Sequence, residues 1–237
     1  MFRRSSTSSV SSARPEGPTD AVFRNAVRSM KTTHKPLLML RAKVAVVGDA
    51  CTGKTAITQM FHSGGHNYPK SYVMTIGVDY VVQQVPIPDS PDSAVVELHL
   101  FDCAGQSVFN QLGSASSYWN NASLACLVYD VSNRESFESC GKWLRGVRGT
   151  RPSNSAPVPG VLIANKADLR DADFDSRAVV DTNEGMRFAK ENDLEYFEVS
   201  ALTGYGVQAP FQHMAQQFYR MYQETMRNAE RVADQAY

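Results

Sequence analysis

The sequence predicts an α/β fold: a mostly parallel sheet with helices on both faces. Three observations carry this. From Leu37 onward, short apolar runs of strand length alternate with segments whose apolar residues recur at helical spacing. A glycine-rich turn, Gly48-Asp49-Ala50-Cys51-Thr52-Gly53-Lys54-Thr55, lies between one such run and one such helix. Two further polar clusters, at Asp102 and at Asn165, each directly follow an apolar run. In a parallel sheet such loops gather at the carboxyl ends of the strands, where ligands bind.

In chain order, residues 1–36 read as a disordered basic, Ser-rich tail with only Glu16 and Asp20 as acids. The composition is also that of a mitochondrial presequence, but Pro15 and Pro18 interrupt any long amphipathic helix. Residues 37–237 read as one domain. Lys43–Val47 is a buried strand, Ala56–His62 a helix and Ser63–Thr75 a loop. Val78–Val85 and Ala94–Phe101 form a hairpin around the proline-rich 86–92. A helix is expected over Ser107–Tyr118, and a central strand over Leu124–Tyr129. Another helix is expected over Glu135–Val147, with Phe137, Trp143 and Leu144 as its anchors. Gly160–Ala164 is a strand, and Asp181 with Glu184 resembles a capping box opening a helix to Asn192. Glu195–Val199 is the last strand. Pro210 opens an extended terminal helix with Phe211, Met214, Phe218, Met221, Tyr222 and Met226 at 3–4 spacing. Beyond Tyr222 little domain remains to cover, which leaves Met226 and Val232 for a partner.

The 237 residues carry no formal net charge, so nothing in the balance points to nucleic acid. The four cysteines form no metal-ligand spacing, and Cys51 in the glycine-rich turn and Cys103 beside Asp102 are expected as thiols in a reducing compartment. Gly64 and Gly65 argue against His62 and His66 as a helical metal pair. No run reaches the roughly 18 apolar residues of a membrane span. Phe2 at the myristoylation position and a last cysteine at Cys140 predict no direct lipid anchor, so a partner would carry the protein to membranes.

The glycine-rich turn has the form of a phosphate cradle. Asp49, Ala50, Cys51, Thr52 and Gly53 bring successive backbone N–H groups around an anion at a helix N-terminus. Lys54 adds a point charge for the β- and γ-phosphates, and Thr55 a hydroxyl for Mg²⁺. At the next motif, Asp102 can hold Mg²⁺ through water, and the Gly105 N–H can sense a γ-phosphate. Gln106 can orient an attacking water, which makes Gln106 and Lys54 the catalytic candidates. At Asn165-Lys166-Ala167-Asp168, the Asp168 carboxylate can accept from N1–H and N2–H₂ of guanine, a donor pair that adenine lacks. Leaving it unpaired and buried would cost about 1–3 kcal/mol or more. Lys166 would lie along the base, and Asn165 would tie the loop to the phosphate strand. Ser200, Ala201 and Leu202 can present a backbone N–H to guanine O6. The expected ligands are GTP or GDP with Mg²⁺.

Together these motifs resemble the Ras-superfamily small GTPases over residues 41 to about 225, implying a P-loop small G domain with a six-stranded sheet. Thr75-Ile76-Gly77-Val78-Asp79 after Tyr72, and Tyr129-Asp130-Val131-Ser132-Asn133-Arg134-Glu135-Ser136-Phe137, look Rab-like. The resemblance implies that Thr75 ligates Mg²⁺ and closes a loop on the γ-phosphate. Lys70-Ser71-Tyr72, Val85-Pro86-Ile87-Pro88-Asp89, Ser136-Phe137-Glu138-Ser139-Cys140 and Ala209-Pro210-Phe211 narrow it to the Rab-like GTPases of intraflagellar transport complex B. That family implies a heterodimer with a small β-sandwich subunit, attachment to the complex-B coiled-coil core, and a place in the cytoplasm and cilium or flagellum, at basal body and axoneme. Ala50 occupies the loop position next to where an attacking water and an arginine finger need room. The superfamily resemblance implies that a side chain there slows hydrolysis, so slow GTP hydrolysis dependent on Gln106 is expected. Two other readings remain: a structural subunit stabilised by bound nucleotide, or a Rab-like vesicle-trafficking GTPase recruited through an adaptor.

Overall fold

The computed structural model describes residues 38–91, 93–105, 118–152, 156–170 and 177–235. The expected tail (1–36), Gln106, and all but the last residue of the helix expected at Ser107–Tyr118 lie outside them.

Six strands form one sheet in the order β2-β3-β1-β4-β5-β6. They are β1 (Met39–Val47), β2 (Val78–Pro86), β3 (Val95–Cys103), β4 (Leu124–Asp130), β5 (Gly160–Asn165) and β6 (Leu194–Glu198). Only β2 runs antiparallel, paired along β3 with Val81 opposite Leu100. The hairpin connection turns at Asp89 and Ser93, both at positive φ. Every residue of β4 and β5 is buried, as continuous apolar runs in the middle of a parallel sheet require. The chain leaves β1 toward β3 on one side and β4 on the other. The carboxyl end of β1, where Gly48 begins the glycine-rich turn, is therefore the topological switch point.

Among the described residues the helices are α1 (Lys54–His62), α2 (Arg134–Glu138), α3 (Cys140–Arg148), α4 (Thr182–Glu191) and α5 (Gln208–Gln235). One face of the sheet packs on α1 and α5, where Phe61 stacks on Phe211 with ring centroids 3.9 Å apart. The other face packs on α2, α3 and α4 through Phe137, Trp143, Leu144 and Ala189.

Three expectations are refined. The helix expected at Glu135–Val147 is divided at Ser139 into α2 and α3. Its start is fixed by Asn133, whose side chain accepts from the Ser136 N–H. The Asp181–Glu184 capping box is half made. Asp181 accepts from the Asn183 N–H at 2.8 Å, but Glu184 pairs with Arg134 at 2.5 Å instead of reaching back. The buried stripe of α5 is Pro210, Phe211, Met214, Ala215 and Tyr219, with Phe218, Met221 and Tyr222 half covered. From Glu224 onward the helix is exposed on all sides, Met226 and Val232 included.

Candidate functional site

The glycine-rich turn has the backbone its sequence demands. Gly48 passes so close to β4 that a Cβ there would lie 2.1 Å from the Val128 carbonyl oxygen. Gly53 adopts φ 92° as the N-cap of α1, and a Cβ on it would lie 2.2 Å from Asn165 Nδ2. Cys51 takes φ 62°, which turns the loop around the space above the helix N-terminus. The Lys54 ammonium donates to the carbonyls of Gly48 (2.9 Å) and Asp49 (2.8 Å), while Thr52 Oγ1 donates to Asp49 (3.0 Å). Burial pushes the Lys54 pKa below the ordinary lysine value, although Asp102 and Asp49 act in the opposite sense.

At the carboxyl end of β3, Asp102 is almost fully buried and accepts from Thr55 Oγ1 at 2.5 Å through Oδ2. Its Oδ1 is buried without a hydrogen-bond partner among the described residues. Thr75, from the loop before β2, brings its Oγ1 within 3.0 Å of Thr55 Oγ1. Desolvation raises the Asp102 pKa to about 6, against the opposing pull of the Thr55 hydrogen bond and of Lys54. Three hard oxygen groups, one with an unsatisfied acceptor, suit a Mg²⁺-type cation. Gly105 rests on the turn itself: a Cβ there would come within 2.4 Å of the Ala50 nitrogen.

The third motif is joined to the first through Asn165. Its Nδ2 donates to the Thr52 carbonyl at 2.8 Å, and its Oδ1 accepts from the Ala201 N–H at 3.2 Å. Asp168 sits in a short 3₁₀ turn, Ala167–Arg170, and accepts from Ser200 Oγ at 2.5 Å. Lys166, at φ 64°, extends to Asp130 at 2.5 Å. The turn, the Tyr68–Thr75 loop, Gly105, Lys166, Asp168, Ala201 and Leu202 enclose one cavity of about 760 Å³, within the range of small-molecule and cofactor sites. The structure thus places all the candidate residues except Gln106 around or directly behind a single space.

Three contributors have a place at the site that the motifs do not assign to them. Trp143 of α3 donates its indole N–H to Asp49 Oδ1 at 2.7 Å. Asp130 receives Lys166. Arg170 pairs with Glu198 at 3.0 Å, linking the Asp168 turn to β6. An indole in an amphipathic helix gives no such signal by itself. Asp130 ending a strand, like Asp102, is the sort of hint that could have flagged one.

Residues 43–220 match the model of the Ras family. The chain is 42% identical over 188 residues to the intraflagellar transport protein 27 homolog of Homo sapiens, covering 79% of this chain and 95% of that protein. It is 44% identical to intraflagellar transport protein 27 of Chlamydomonas reinhardtii, covering 78% and 87%. The Ypt/Rab-type GTPase ypt7 of Schizosaccharomyces pombe shares 33%, covering 73% and 80%. A phosphate-loop site at the switch point of this sheet and those identities give one conclusion: the chain belongs to the Ras family, in the Rab-like group that includes its intraflagellar transport protein 27 relatives.

Proposed function

We propose that the protein is a guanine-nucleotide-operated switch, a slow GTPase acting as a subunit of the intraflagellar transport machinery. In this reading it pairs with a small β-sandwich subunit and attaches to the complex-B coiled-coil core in cytoplasm and cilium. The observation that carries the switch is the convergence of Thr55, Thr75 and Asp102. These groups come from a helix, a loop and a strand end, and share one set of hydrogen bonds. A ligand that engages all three fixes the Tyr68–Thr75 loop against the phosphate loop, and that loop presents Tyr72 and Val73 to solvent, with Ile76 exposed directly after it. The identity of the transport machinery rests on the names of the relatives.

Each residue has a chemical task in this reading. Backbone N–H groups of Asp49–Thr55 and the Lys54 ammonium hold the phosphates. Asp168 accepts from the guanine N1–H and N2–H₂ while Ser200 fixes its other side, and Ala201 offers its N–H to O6. Thr55, Thr75 and Asp102 would hold Mg²⁺, which would supply positive charge to offset that of the phosphates. Gln106 orients the water that attacks the γ-phosphorus; the bond to the bridging oxygen breaks, and GDP and phosphate leave. Ala50, opposite Gly105, keeps that step slow.

Two outcomes are expected. In single-turnover assays Gln106→Leu lowers the hydrolysis rate by about 10-fold or more without weakening nucleotide retention; equal rates would remove Gln106 from the mechanism. Asp102→Asn separates fold from ligand. The folded carboxyl, with its pKa at about 6, holds its proton more tightly than the unfolded one. Its contribution to stability is therefore largest in acid and is lost as pH rises through about 6. In EDTA near pH 7.5, Asp102→Asn should be the more stable protein by about 1 kcal/mol in urea unfolding. With Mg²⁺ added, it should lose the cation-dependent gain in nucleotide affinity that wild type shows.

The proposal as a whole is tested by loading tagged protein with GDP or a non-hydrolysable GTP analogue and capturing partners from lysate of a ciliated cell. Recovery of the β-sandwich subunit in both states, with the coiled-coil core in the GTP state alone, supports the switch. The whole set in both states points to a structural subunit, and endomembrane tethers point to a vesicle-trafficking role.

A further inference from the structure

A second cleft lies at the other end of the sheet. The stretch Cys140–Pro159 holds Lys142, Arg145, Arg148 and Arg151 and no acidic residue, in a chain whose charges balance only as a whole. The fold closes the described part of this stretch against α4, and a cavity of about 520 Å³ opens between them. Its lining includes Arg145, Arg148 and Arg151 together with the apolar Leu144, Pro157 and Phe188. The loop that borders it leads into the amino end of β5. The phosphate loop, Asp102 and Asn165 all lie at carboxyl ends of strands, so cleft and nucleotide site face opposite edges of the sheet.

Two of the arginines, Arg148 and Arg151, are held in place without neutralisation. Arg148 donates through Nε to the Val158 carbonyl at 3.2 Å and through Nη2 to Asn192 at 2.8 Å. Arg151 donates to the Ala122 carbonyl at 3.0 Å and to Ala156 at 3.5 Å. None of the ion pairs among the described residues involves these two or Arg145. Desolvation lowers the Arg148 pKa from the ordinary arginine value, with only Asp193 offsetting it. Fixed positive charge beside apolar wall is complementary to a segment carrying both carboxylates and apolar side chains.

We propose that this cleft docks an acidic, amphipathic peptide segment of a partner protein, and does so in either nucleotide state. Two features favour a peptide over a phosphate group or RNA. Arg148 and Arg151 have spent their forks on carbonyls, so they supply charge to an extended acidic chain and no bidentate phosphate cradle. The cleft's one aromatic wall, Phe188, already takes the edge of Phe137 and offers no series of stacking platforms for bases. Arg145 is the exposed, adjustable member, set on α3 one turn before Arg148.

The test uses the full chain loaded with GDP or a non-hydrolysable GTP analogue. A fluorescein-labelled short peptide alternating glutamate and leucine is titrated by anisotropy. Saturable binding is expected, equal in both loads, weakened by salt, and absent for the same peptide with lysine in place of glutamate. Arg145→Glu should weaken it by about 10-fold or more. Lys142→Glu, on the same helix but outside the cavity lining, should leave affinity within about 2-fold. Equal losses in the two variants would mean a general surface field and overturn the cleft, as would an unchanged Arg145→Glu. Displacement by millimolar inorganic phosphate or by a single-stranded RNA would overturn the peptide assignment. The measurement does not depend on hydrolysis, so the cleft and the switch fail separately.

Discussion

Asp168→Asn is expected to weaken GDP and GTP binding by about 10³- to 10⁴-fold while improving retention of xanthine nucleotides. The carboxylate accepts from two adjacent donors on guanine. An amide there turns its NH₂ toward one of them and leaves a buried donor facing a donor. Xanthine carries a carbonyl where guanine carries its amino group, so the same amide finds an acceptor. Asp168 Oδ1 is already held by Ser200 Oγ at 2.5 Å, which limits how far the side chain can turn away from the mismatch. Competition of guanine, xanthine and adenine nucleotides against a fluorescent GDP analogue gives the order. Loss of all three together would mean that the turn had collapsed; an unchanged order would remove Asp168 from base recognition.

Lys54→Ala should cost at least about 10²-fold in affinity for GDP and GTP alike, with a much smaller effect on the ligand-free fold. The ammonium is buried, its pKa is lowered by that burial, and its two hydrogen bonds go to carbonyls of its own loop. Without ligand it is a desolvated cation offset by backbone dipoles and by Asp102, so its removal loses two charge-assisted hydrogen bonds and relieves a desolvation cost of the same order. With ligand, phosphate oxygens become its partners in a space that excludes much of the water, and nothing offsets their loss. Titration calorimetry beside urea unfolding in EDTA separates the two quantities. Comparable losses in both would make Lys54 a structural residue.

Much of this was legible because the informative residues are contiguous. A phosphate loop needs glycines, a lysine and a threonine within one turn, and a strand end with a polar cluster declares itself over a few residues. Strand identities followed from apolar runs, and only their ends moved, β1 starting at Met39 where Lys43 was expected. What stayed hidden depends on distance along the chain. Asp49 and Trp143 are 94 positions apart, Lys166 and Asp130 36 apart. Neither pair has a local pattern, because it is the sheet order that brings them together. Ser139 divides a helix whose propensity pattern is continuous. On α5 the apolar spacing selects Phe218 and Met221, whereas the helix turns Tyr219 into the core and leaves those two half covered.

Trp143 gives the molecule an optical gauge. It is one of two tryptophans, the other being Trp119, whose ring meets it edge-on at 6.1 Å. The Trp143 indole is hydrogen-bonded to Asp49, within the loop that lines the proposed phosphate site. Any rearrangement of that loop changes the polarity at the chromophore, so loading and release are written into the protein's own emission, with no dye attached to the surfaces its partners use.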